Sequence, residues 1–334
     1  MKKNIPKVSI IIPTYNEERN IAKCLSSIFG QNYPKSSLEV LVVDDRSDDQ
    51  TVEIAKKFPV KILFSGARHG EISKMIGLRA AKGDLFIYLD ADIELRGKDW
   101  IRKMIKPLVE NQEIIGSFTR YYVTKKDPAI ERYLTFDPLQ RDSIYQFFSP
   151  SIEKTVIKRY TGYELCEYTE DNIPPAGLCL YRRDKLLSLV KNFEMFLELD
   201  FLMLLVRNGL NKFAYVPQAG MYHHHADSLQ TLIKKRIYNL TKVYLTHVNN
   251  RLYIWFDLSS PKDQFKIILW VIYANLLLPS LIVGLYKSIK YKDVAGLYEL
   301  PVNLLVTDNL VLFFLKDRRG KSLLKRYLFR SSKF

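Results

Sequence analysis

The first part of the chain alternates between short apolar runs and segments in which apolar residues recur at helical spacing. The apolar runs are too short for buried helices, and they lie at residues 8–12, 38–43, 60–64 and 85–89. The segments between them predict helices ending near residue 29 and covering 50–58 and 71–81. Strands that alternate with helices in this way predict a doubly wound, mainly parallel α/β sheet with helices on both faces.

Polar residues after the first two strands predict where the following helices begin. Asn16 stands at the end of the turn after the first strand and is expected to cap the first helix. Ser47 or Asp48 is expected to cap the helix over 50–58. Both caps would satisfy backbone N–H groups that have no partner within the helix.

Two aspartates, Asp90 and Asp92, stand directly after the apolar run at 85–89. Ligands of parallel α/β sheets bind just beyond the carboxyl ends of the strands. Carboxylates at i and i+2 can point the same way in an extended or turn conformation, and such a pair suits Mg²⁺ or Mn²⁺ beside a diphosphate. Aspartate is also common in turns and helix caps. The spacing alone therefore leaves a metal site and turn chemistry both open.

A second acidic cluster follows the strand at 38–43 and consists of Asp44, Asp45, Asp48 and Asp49. About half of this cluster is expected to serve the turn and the helix cap. Asp45 is the member expected to face a ligand.

The charge of the chain predicts anionic partners. The chain has 334 residues and a formal net charge of +15, which does not distinguish nucleic acid, nucleotide phosphates and an anionic membrane surface. Residues 316–334 contain eight Lys or Arg and one Asp, so 8 − 1 = +7 lies in this tail. The cysteines are few, odd in number and far apart, which favours a reducing, cytoplasmic setting without a disulfide framework or zinc site. The apolar run at 8–12 is shorter than a signal-peptide core, so no export signal is expected.

The C-terminal part is apolar enough to interact with a membrane. Residues 267–286 are about one bilayer's length and predict a membrane helix. Residues 300–315 are shorter and contain polar residues, so a second span, a re-entrant segment and a helix packed on the first all remain open. Lysines within 287–292 fit the positive-inside rule poorly, which leaves an amphipathic, surface-lying arrangement open as well.

Four blocks in this order, at 9–18, 42–49, 70–92 and 215–225, together resemble the family 2 glycosyltransferases, which have the nucleotide-sugar-binding GT-A fold. The resemblance implies that Thr14, Glu17 and Asp45 bind the nucleoside, that Asp90 lies near the ribose and diphosphate, and that Asp92 of this DxD motif holds Mn²⁺ or Mg²⁺. The donor-binding residues that it implies are Pro13, Thr14, Tyr15, Glu17, Asp45, Lys74, Asp90 and Ala91.

Lys74 marks a departure from the family pattern. Where the family often has Ala-Arg-Asn, this chain has Ser73, Lys74 and Met75. Lysine can replace the charge of the arginine but lacks its planar fork. The chain also has neither a Gly-rich phosphate loop nor a Walker lysine. The metal and nearby basic groups must therefore neutralise the phosphates, where a divalent ion stabilises the charge that develops on a departing diphosphate.

Two acidic residues, Glu198 and Asp200, interrupt the apolar segment 195–206. Buried carboxylates without partners are costly, so the pair is expected to be functional or salt-bridged. Family members often carry adjacent Glu-Asp here, with the aspartate as the base, whereas in this chain Leu199 separates the two. Positions i and i+2 of a helix face different sides, and matching the helix end at Gly209 favours Glu198 as the base, with Asp200 as the runner-up.

Three consecutive histidines follow a predicted strand at 213–216. Alternation would direct His223 and His225 to one face. A lone histidine is more often structural than a ligand, but the resemblance puts a metal or diphosphate contact here, and His223 is the first choice. The basic residues at 234–236 resemble an acceptor-side or diphosphate-binding motif of relatives, and a solvated basic face is the alternative.

Together with these features, the resemblance implies a metal-dependent, hexosyltransferase-like glycosyltransferase that is inverting, as is usual in the family. It would transfer a sugar from a UDP or GDP sugar to a lipid-linked or polyprenyl-phosphate acceptor, at the cytoplasmic face of the cell membrane and without a nucleic-acid partner. The expected domains are a catalytic GT-A domain over 1–258, with 119–172 as an insertion on the acceptor side, and a membrane-associated helical region over 259–334. The rival functions are a sugar-phosphate nucleotidyltransferase, which would need a glycine-rich loop after Ile12, and an inactive membrane scaffold of the same fold.

Overall fold

The chain divides into two compact units. A computed structural model describes residues 5–174, 178–223, 226–247, 251–254, 257 and 259–330, and only the backbone for 327–330. Unit 1 comprises Met1–Tyr122 and Pro150–His223, and unit 2 comprises Val123–Ser149 and His224–Phe334. The expected insertion at 119–172 is thus shared between the units. The functional division at 258 stays a prediction, because compactness does not test which segment binds the donor or the membrane.

All strands among the described residues belong to unit 1. They are β1 (Val8–Thr14), β2 (Leu38–Asp44), β3 (Lys61–Phe64), β4 (Leu85–Tyr88), β5 (Ile93–Leu95), β6 (Ile114–Phe118), β7 (Tyr121–Tyr122), β8 (Val156–Tyr160), β9 (Tyr163–Glu167), β10 (Cys179–Arg182), β11 (Lys212–Tyr215) and β12 (Met221–His223).

The main sheet has nine strands in the order β3-β2-β1-β4-β10-β6-β11-β9-β8. The first four strands are parallel, as are β6 and β11. Strand β10 runs antiparallel between β4 and β6, and β9 and β8 extend the other edge in antiparallel pairing. The predicted α/β fold with helices around the sheet is confirmed, but the sheet is mixed rather than mainly parallel.

The helices among the described residues flank this sheet or build unit 2. They are α1 (Ile21–Phe29), α2 (Thr51–Ala55), α3 (Gly70–Ala80), α4 (Trp100–Glu110), α5 (Ala129–Leu134), α6 (Ser143–Phe148), α7 (Arg183–Val190), α8 (Glu198–Arg207), α9 (Leu229–Tyr238), α10 (Leu245–His247), α11 (Pro261–Asn275), α12 (Leu277–Tyr291), α13 (Glu299–Lys316) and α14 (Arg318–Arg330).

The central strands β1 and β4 are covered on both faces, which explains their continuous apolar sequence. Ile10, Ile11 and Ile87 are fully buried. Helix α3 lies so close to β1 that a Cβ atom on Gly77 would come within 2.2 Å of a methyl carbon of Ile11. Glycine at this position therefore lets helix and strand approach each other.

The two predicted helix caps are wrong. Asn16 has a φ of 56° in the left-handed region, and α1 begins only at Ile21. The backbone N–H of Asn16 donates to Ser47 Oγ at 2.9 Å, and the Asn16 side-chain oxygen accepts from the Asp48 N–H at 3.0 Å. The polar groups expected to cap two separate helices instead tie the two loops at the carboxyl ends of β1 and β2 together.

Unit 2 consists of helices around α13. Val302 and Val306 of α13 share an apolar core with Ile130, Leu134 and Leu232. Elsewhere in this unit, the Nε atom of Arg236 donates to Asp142 Oδ2 at 2.8 Å. Because Arg236 is only 7% exposed, the basic residues at 234–236 do not form a fully solvated face.

The predicted membrane helix at 267–286 is not one helix. It is divided between α11 and α12, which meet at Leu276 with a bend of 79°. A continuous helix would bring the ring of Pro279 against the carbonyl of Asn275, whereas proline is tolerated in the first turn of a new helix. Among the described residues, Val294–Lys316 is long and apolar enough to cross a membrane, judged by length and composition only, and the bent pair would be a second if it counted as one span.

Candidate active site

A small sheet brings Asp92 and His223 together. Strand β5 begins one residue after Asp92, and β12 ends at His223. The two strands pair antiparallel, with His223 opposite Ile93. This register places the Nε2 atom of His223 3.8 Å from Oδ2 of Asp92. The two residues that the sequence assigns to a metal are therefore neighbours, although 131 positions separate them in the chain (223 − 92).

The separation of these two side chains suits a shared divalent cation. Ligands that are each about 2.1 Å from one ion lie roughly 3 to 4 Å apart, and a donor diphosphate can supply further oxygen ligands. Within the described ranges, no group of three or more His, Cys, Asp or Glu side chains is arranged as a complete metal site. His225, the alternative to His223, and His224 lie outside the described residues.

Asp90 lies beside Lys74, the basic residue that departs from the family pattern. The Nζ atom of Lys74 is 3.1 Å from Glu71 and 3.8 Å from Asp90, and it lies 4.1 Å from the centre of the Tyr88 ring. Burial opposes the charged form of Lys74, but Glu71 and Asp90 outweigh this effect and raise its pKa. Lys74 is therefore a permanent positive charge at the end of β4, and Ala91, which follows Asp90, is buried.

The residues assigned to the nucleoside lie at the end of β1 and just after it. Thr14 is buried, and its hydroxyl donates to Asp44 at 3.1 Å. The Tyr15 ring is 40% exposed, with the Arg68 guanidinium 5.3 Å from its centre. Pro13 is the penultimate residue of β1. The structure therefore leaves the Tyr15 ring accessible to a ligand, whereas the Thr14 hydroxyl has a structural hydrogen bond.

Glu17 faces the same region as the DxD motif. Burial raises the pKa of Glu17, a hydrogen bond from Asn20 lowers it, and the negative charges of Asp92 and Asp90 raise it further. The Asn20 side chain donates to Glu17 at 2.9 Å. These mutual effects mean that the carboxylates concentrate negative charge at one place, as a site for a cation does.

Asp45 is held by donors that sequence analysis does not single out. Its carboxylate accepts hydrogen bonds from the Ser73 hydroxyl at 2.9 Å, from the Arg68 backbone N–H at 3.2 Å and from the Ser65 hydroxyl. Ser73 is one of the residues at which this chain departs from the family pattern. Asp45 is therefore fixed in position and only 2% exposed.

Glu198, at the first turn of α8, is held by two tyrosines. The Tyr88 hydroxyl donates to Oε2 at 2.6 Å and the Tyr181 hydroxyl to Oε1 at 2.8 Å. Tyr88 lies on β4 and Tyr181 on the neighbouring β10, where Tyr181 pairs with Phe86, so both rings are on one face of the sheet. The sequence signal for either tyrosine is weak: Tyr88 brings a hydroxyl to the end of the otherwise apolar β4, and Tyr181 stands next to Arg182 in β10.

The environment of Glu198 is that of a group able to exchange a proton near neutral pH. Burial raises the pKa of Glu198 to about 7, although both tyrosine hydrogen bonds and the charge of Lys74 act to lower it. Asp200 is buried at 2% exposure two positions further along α8, so its side chain points to a different side of the helix. The structure therefore brings Glu198, and not Asp200, to the tyrosines that flank the end of β4.

Comparison with known proteins assigns most of unit 1 to a family. The model of glycosyl transferase family 2 matches residues 9–188. Glycosyltransferase AglE of Haloferax volcanii is 33% identical over 147 residues, which cover 42% of this chain and 48% of that protein. A dolichol-phosphate mannosyltransferase of Pyrococcus furiosus is 39% identical over 121 residues, or 33% of each chain. The matched part thus spans about half or less of the length of these relatives.

A solved structure shows the same fold. The mannosyltransferase PcManGT of Pyrobaculum calidifontis, determined in complex with GDP-Man and Mn²⁺, has a TM-score of 0.53 and 16% sequence identity. The similarity covers 97% of this chain and 80% of that one. At this identity the likeness establishes the GT-A fold and nothing about the substrate.

Proposed function

Because the chain belongs to glycosyl transferase family 2, we propose that it transfers a sugar from a nucleotide-diphosphate donor to a membrane-held acceptor, with inversion at the anomeric carbon. The observation that carries the proposal is the meeting of Asp92 and His223 beside Asp90 at the carboxyl end of β4. Relatives named for dolichol-linked substrates support a lipid-linked or polyprenyl-phosphate acceptor.

The proposed donor site uses the edge formed by the ends of β1, β2 and β4. Tyr15 offers an exposed ring to the base, Glu17 and the firmly held Asp45 accept from the nucleoside, and Pro13 and Thr14 shape the backbone around it. Lys74 and Asp90 lie where the diphosphate would be, with the lysine supplying positive charge. A carboxylate held by three donors keeps its geometry in the absence of a ligand, so this part of the site is preorganised.

Asp92 and His223 are the proposed metal ligands. When bound, Mn²⁺ or Mg²⁺ would neutralise the negative charge that develops on the departing nucleoside diphosphate. The carboxylate oxygen of Asp92 suits either of these ions. The neighbour PcManGT, which was solved with GDP-Man and Mn²⁺, makes GDP and Mn²⁺ the first pair to be tested.

Glu198 is the proposed general base, with Asp200 as the runner-up. A hydroxyl acceptor must lose its proton while its oxygen attacks the anomeric carbon, and a carboxylate with a pKa of about 7 can accept that proton near neutral pH. The Tyr88 and Tyr181 hydrogen bonds fix the direction of the carboxylate. A phosphate acceptor is already ionised and would not need this step.

The proposed location is the cell membrane, with unit 1 on its cytoplasmic face. The three cysteines are free and buried in the described residues, which agrees with a reducing compartment. The apolar helices of unit 2 are the proposed attachment.

Calorimetry of UDP and GDP binding, each with and without Mn²⁺, tests this function. Asp92→Ala should abolish the Mn²⁺-dependent part of nucleotide binding and all sugar transfer while leaving the melting temperature unchanged. The matched control is Asp184→Ala, which removes an aspartate whose side chain is 85% exposed. Manganese dependence that is the same in Asp92→Ala and in the parent would contradict the metal assignment. If neither UDP nor GDP binds, the proposed function as a whole is contradicted.

A further inference from the structure

The largest feature that sugar transfer does not explain is an apolar surface on unit 2. Nineteen of the 28 exposed large hydrophobic side chains of the described residues lie between Phe265 and Leu315. Soluble proteins rarely expose contiguous apolar patches of more than a few hundred Å². A concentration of this kind marks a surface that is covered by something in the cell.

The exposed residues form one stripe along each of the two bent helices. On α11 the stripe repeats at helical spacing and consists of Phe265, Ile268, Leu269 and Ile272. On α12 it consists of Leu277, Leu278, Leu281, Ile282, Leu285 and Ile289. Leu276, at the bend between the helices, is 51% exposed and joins the two stripes.

The opposite faces of these helices pack within unit 2. Trp270 of α11 donates to Thr307 of α13 at 2.9 Å, and Ser280 of α12 accepts from Asn303 of α13 at 3.3 Å. A Cβ atom on Gly284 would come within 2.9 Å of the backbone oxygen of Gly296. Helices whose polar groups face inward and whose apolar stripe faces outward have the reverse of the pattern of a water-exposed helix.

The geometry of the pair does not suit a crossing of the bilayer. Each helix has 15 residues and is about 22 Å long, which is less than the roughly 30 Å of the hydrocarbon core. The bend of 79° turns the second helix away from the direction of the first. The two helices together therefore cannot form one straight span, but both can lie within one plane.

Helix α13 carries a charge at its midpoint. Asp308 is nine residues from Glu299 and eight from Lys316, the two ends of this helix. It is exposed and accepts a hydrogen bond from the Asn275 side chain at 3.1 Å. A helix that crossed the membrane would place this carboxylate at the centre of the bilayer, where charge is most costly. A helix parallel to the surface can keep it at the level of the head groups.

The helix that follows is basic and identifies the chemistry of the partner. Lys316, Arg318, Lys321, Lys325 and Arg326 at the end of α13 and along α14 are exposed. Lys290, in the last turn of α12, is exposed as well. Cationic side chains that border an apolar stripe are attracted to the head groups of anionic lipids while the stripe enters the acyl boundary.

We propose that unit 2 binds in the plane of an anionic lipid bilayer, with the outer stripes of α11 and α12 at the acyl boundary and the basic residues of α14 on the head groups. Helices α11 and α12 then lie in one leaflet, and neither they nor α13 cross the bilayer. This inference rests on the membrane-held acceptor of the proposed function, but it concerns attachment and does not depend on the chemistry of the sugar site.

Vesicle flotation tests the surface and its charge preference. The full chain, diluted from detergent, should bind vesicles that contain phosphatidylglycerol more tightly than vesicles of phosphatidylcholine alone. Leu278→Glu and Ile282→Glu should each weaken binding about tenfold or more, because burying one such side chain accounts for a change of that size. The matched control is Phe64→Glu, which changes a 62% exposed apolar residue on β3 and should bind as the parent does.

Cysteine labelling distinguishes lying in the plane from crossing. Because the three native cysteines are buried, new ones at Ser259, Lys290 and Lys321 can be labelled selectively with a membrane-impermeant maleimide. All three should react in intact vesicles to the same extent as in detergent. Protection of any one until the vesicles are opened would show a crossing and overturn the proposal.

Two further outcomes would also overturn the inference. A dimer that forms without detergent and does not float with vesicles would show that a second copy of the chain covers the surface. Equal binding to both kinds of vesicle would refute the role given to α14. Nucleotide binding measured in detergent separates the two proposals. Leu278→Glu should bind nucleotide as the parent does. If neither the parent nor any variant binds nucleotide, the proposed function is contradicted, and not the membrane inference.

Discussion

Replacing Glu198 by glutamine should make the protein increasingly stable relative to the parent as the pH rises. Burial raises the pKa of this carboxyl from its ordinary 4.5 to about 7. Below pH 4.5 the carboxyl is neutral in both the folded and the unfolded chain. Above pH 7 the folded chain must hold a charge in a half-buried site, and this lowers its free energy of unfolding by about 3 kcal/mol at 1.36 kcal/mol per pKa unit.

Glutamine cannot ionise, so it removes this pH-dependent cost. Melting curves of the parent and Glu198→Gln, followed by circular dichroism without nucleotide from pH 5 to pH 8, should separate as pH rises. About 2 to 3 kcal/mol corresponds to roughly 4–12 °C for a domain of this size. Any loss of a tyrosine hydrogen bond in the variant adds an offset that is the same at every pH. A difference in melting temperature that does not change with pH would refute the raised pKa.

The tyrosines test the same reasoning through activity. The Tyr181 hydroxyl donates to Glu198 at 2.8 Å and favours its charged form. Tyr181→Phe should therefore raise the pKa further and move the acidic limb of kcat/KM to higher pH by about one unit or more, because a hydrogen bond to a charged group is worth about 1.5–3 kcal/mol. The control is Tyr163→Phe, which changes a buried tyrosine on β9 and should leave the pH profile unchanged. Identical profiles for both variants would show that Glu198 is not the group that titrates.

Three further expectations can be checked separately. With a hydroxyl acceptor, Glu198→Gln should reduce turnover by about 10²–10⁴-fold, and it should reduce turnover more than Asp200→Asn does. If the turnover of both variants stays within a few-fold of the parent, a lipid-phosphate acceptor becomes the better interpretation. Lys74→Met should weaken nucleoside diphosphate binding by about tenfold or more in calorimetry, through loss of a buried positive charge, and unchanged affinity would remove it from the diphosphate site. Gly77→Ala should lower the free energy of unfolding by about 1–3 kcal/mol, whereas Gly70→Ala, where a Cβ meets nothing within 4 Å, should be neutral; equal effects in urea unfolding would contradict the close approach of α3.

The parts of the fold that depend on local pattern could be predicted from the sequence. The strands at the start of the chain are apolar enough to be recognised. The carboxylates after β4 could be assigned to a ligand site, because ligands bind at the carboxyl ends of the strands in such sheets. The antiparallel insertion of β10 could not be predicted in this way. Its apolar sequence fits either direction, and the direction is set by the path of a chain segment that has no regular pattern of its own.

The errors in the predicted helix starts have a different cause. Asn16 has the residue type of a helix cap, but its hydrogen-bonding groups are satisfied by Ser47 and Asp48, about thirty positions further on. A helix-cap preference considers only neighbouring residues, so it cannot account for hydrogen-bond partners that are distant in sequence. The bend at Leu276 is the opposite case, since Pro279 already marks a break in the sequence, and bilayer-length hydropathy obscured that signal.

The hydroxyl of Tyr88 and its ring have separate functions, which explains why the site could be only partly read from its charged residues. The hydroxyl donates to Glu198, 110 positions away in sequence, while the ring lies 4.1 Å from the ammonium of Lys74. Lys74 in turn is 3.8 Å from Asp90. One aromatic residue at the end of β4 thus connects the proposed base to the charges proposed to hold the diphosphate. Because sheet pairing between β4 and β10 also positions Tyr181, the geometry of the proposed base depends on two adjacent strands as well as on the helix that carries it.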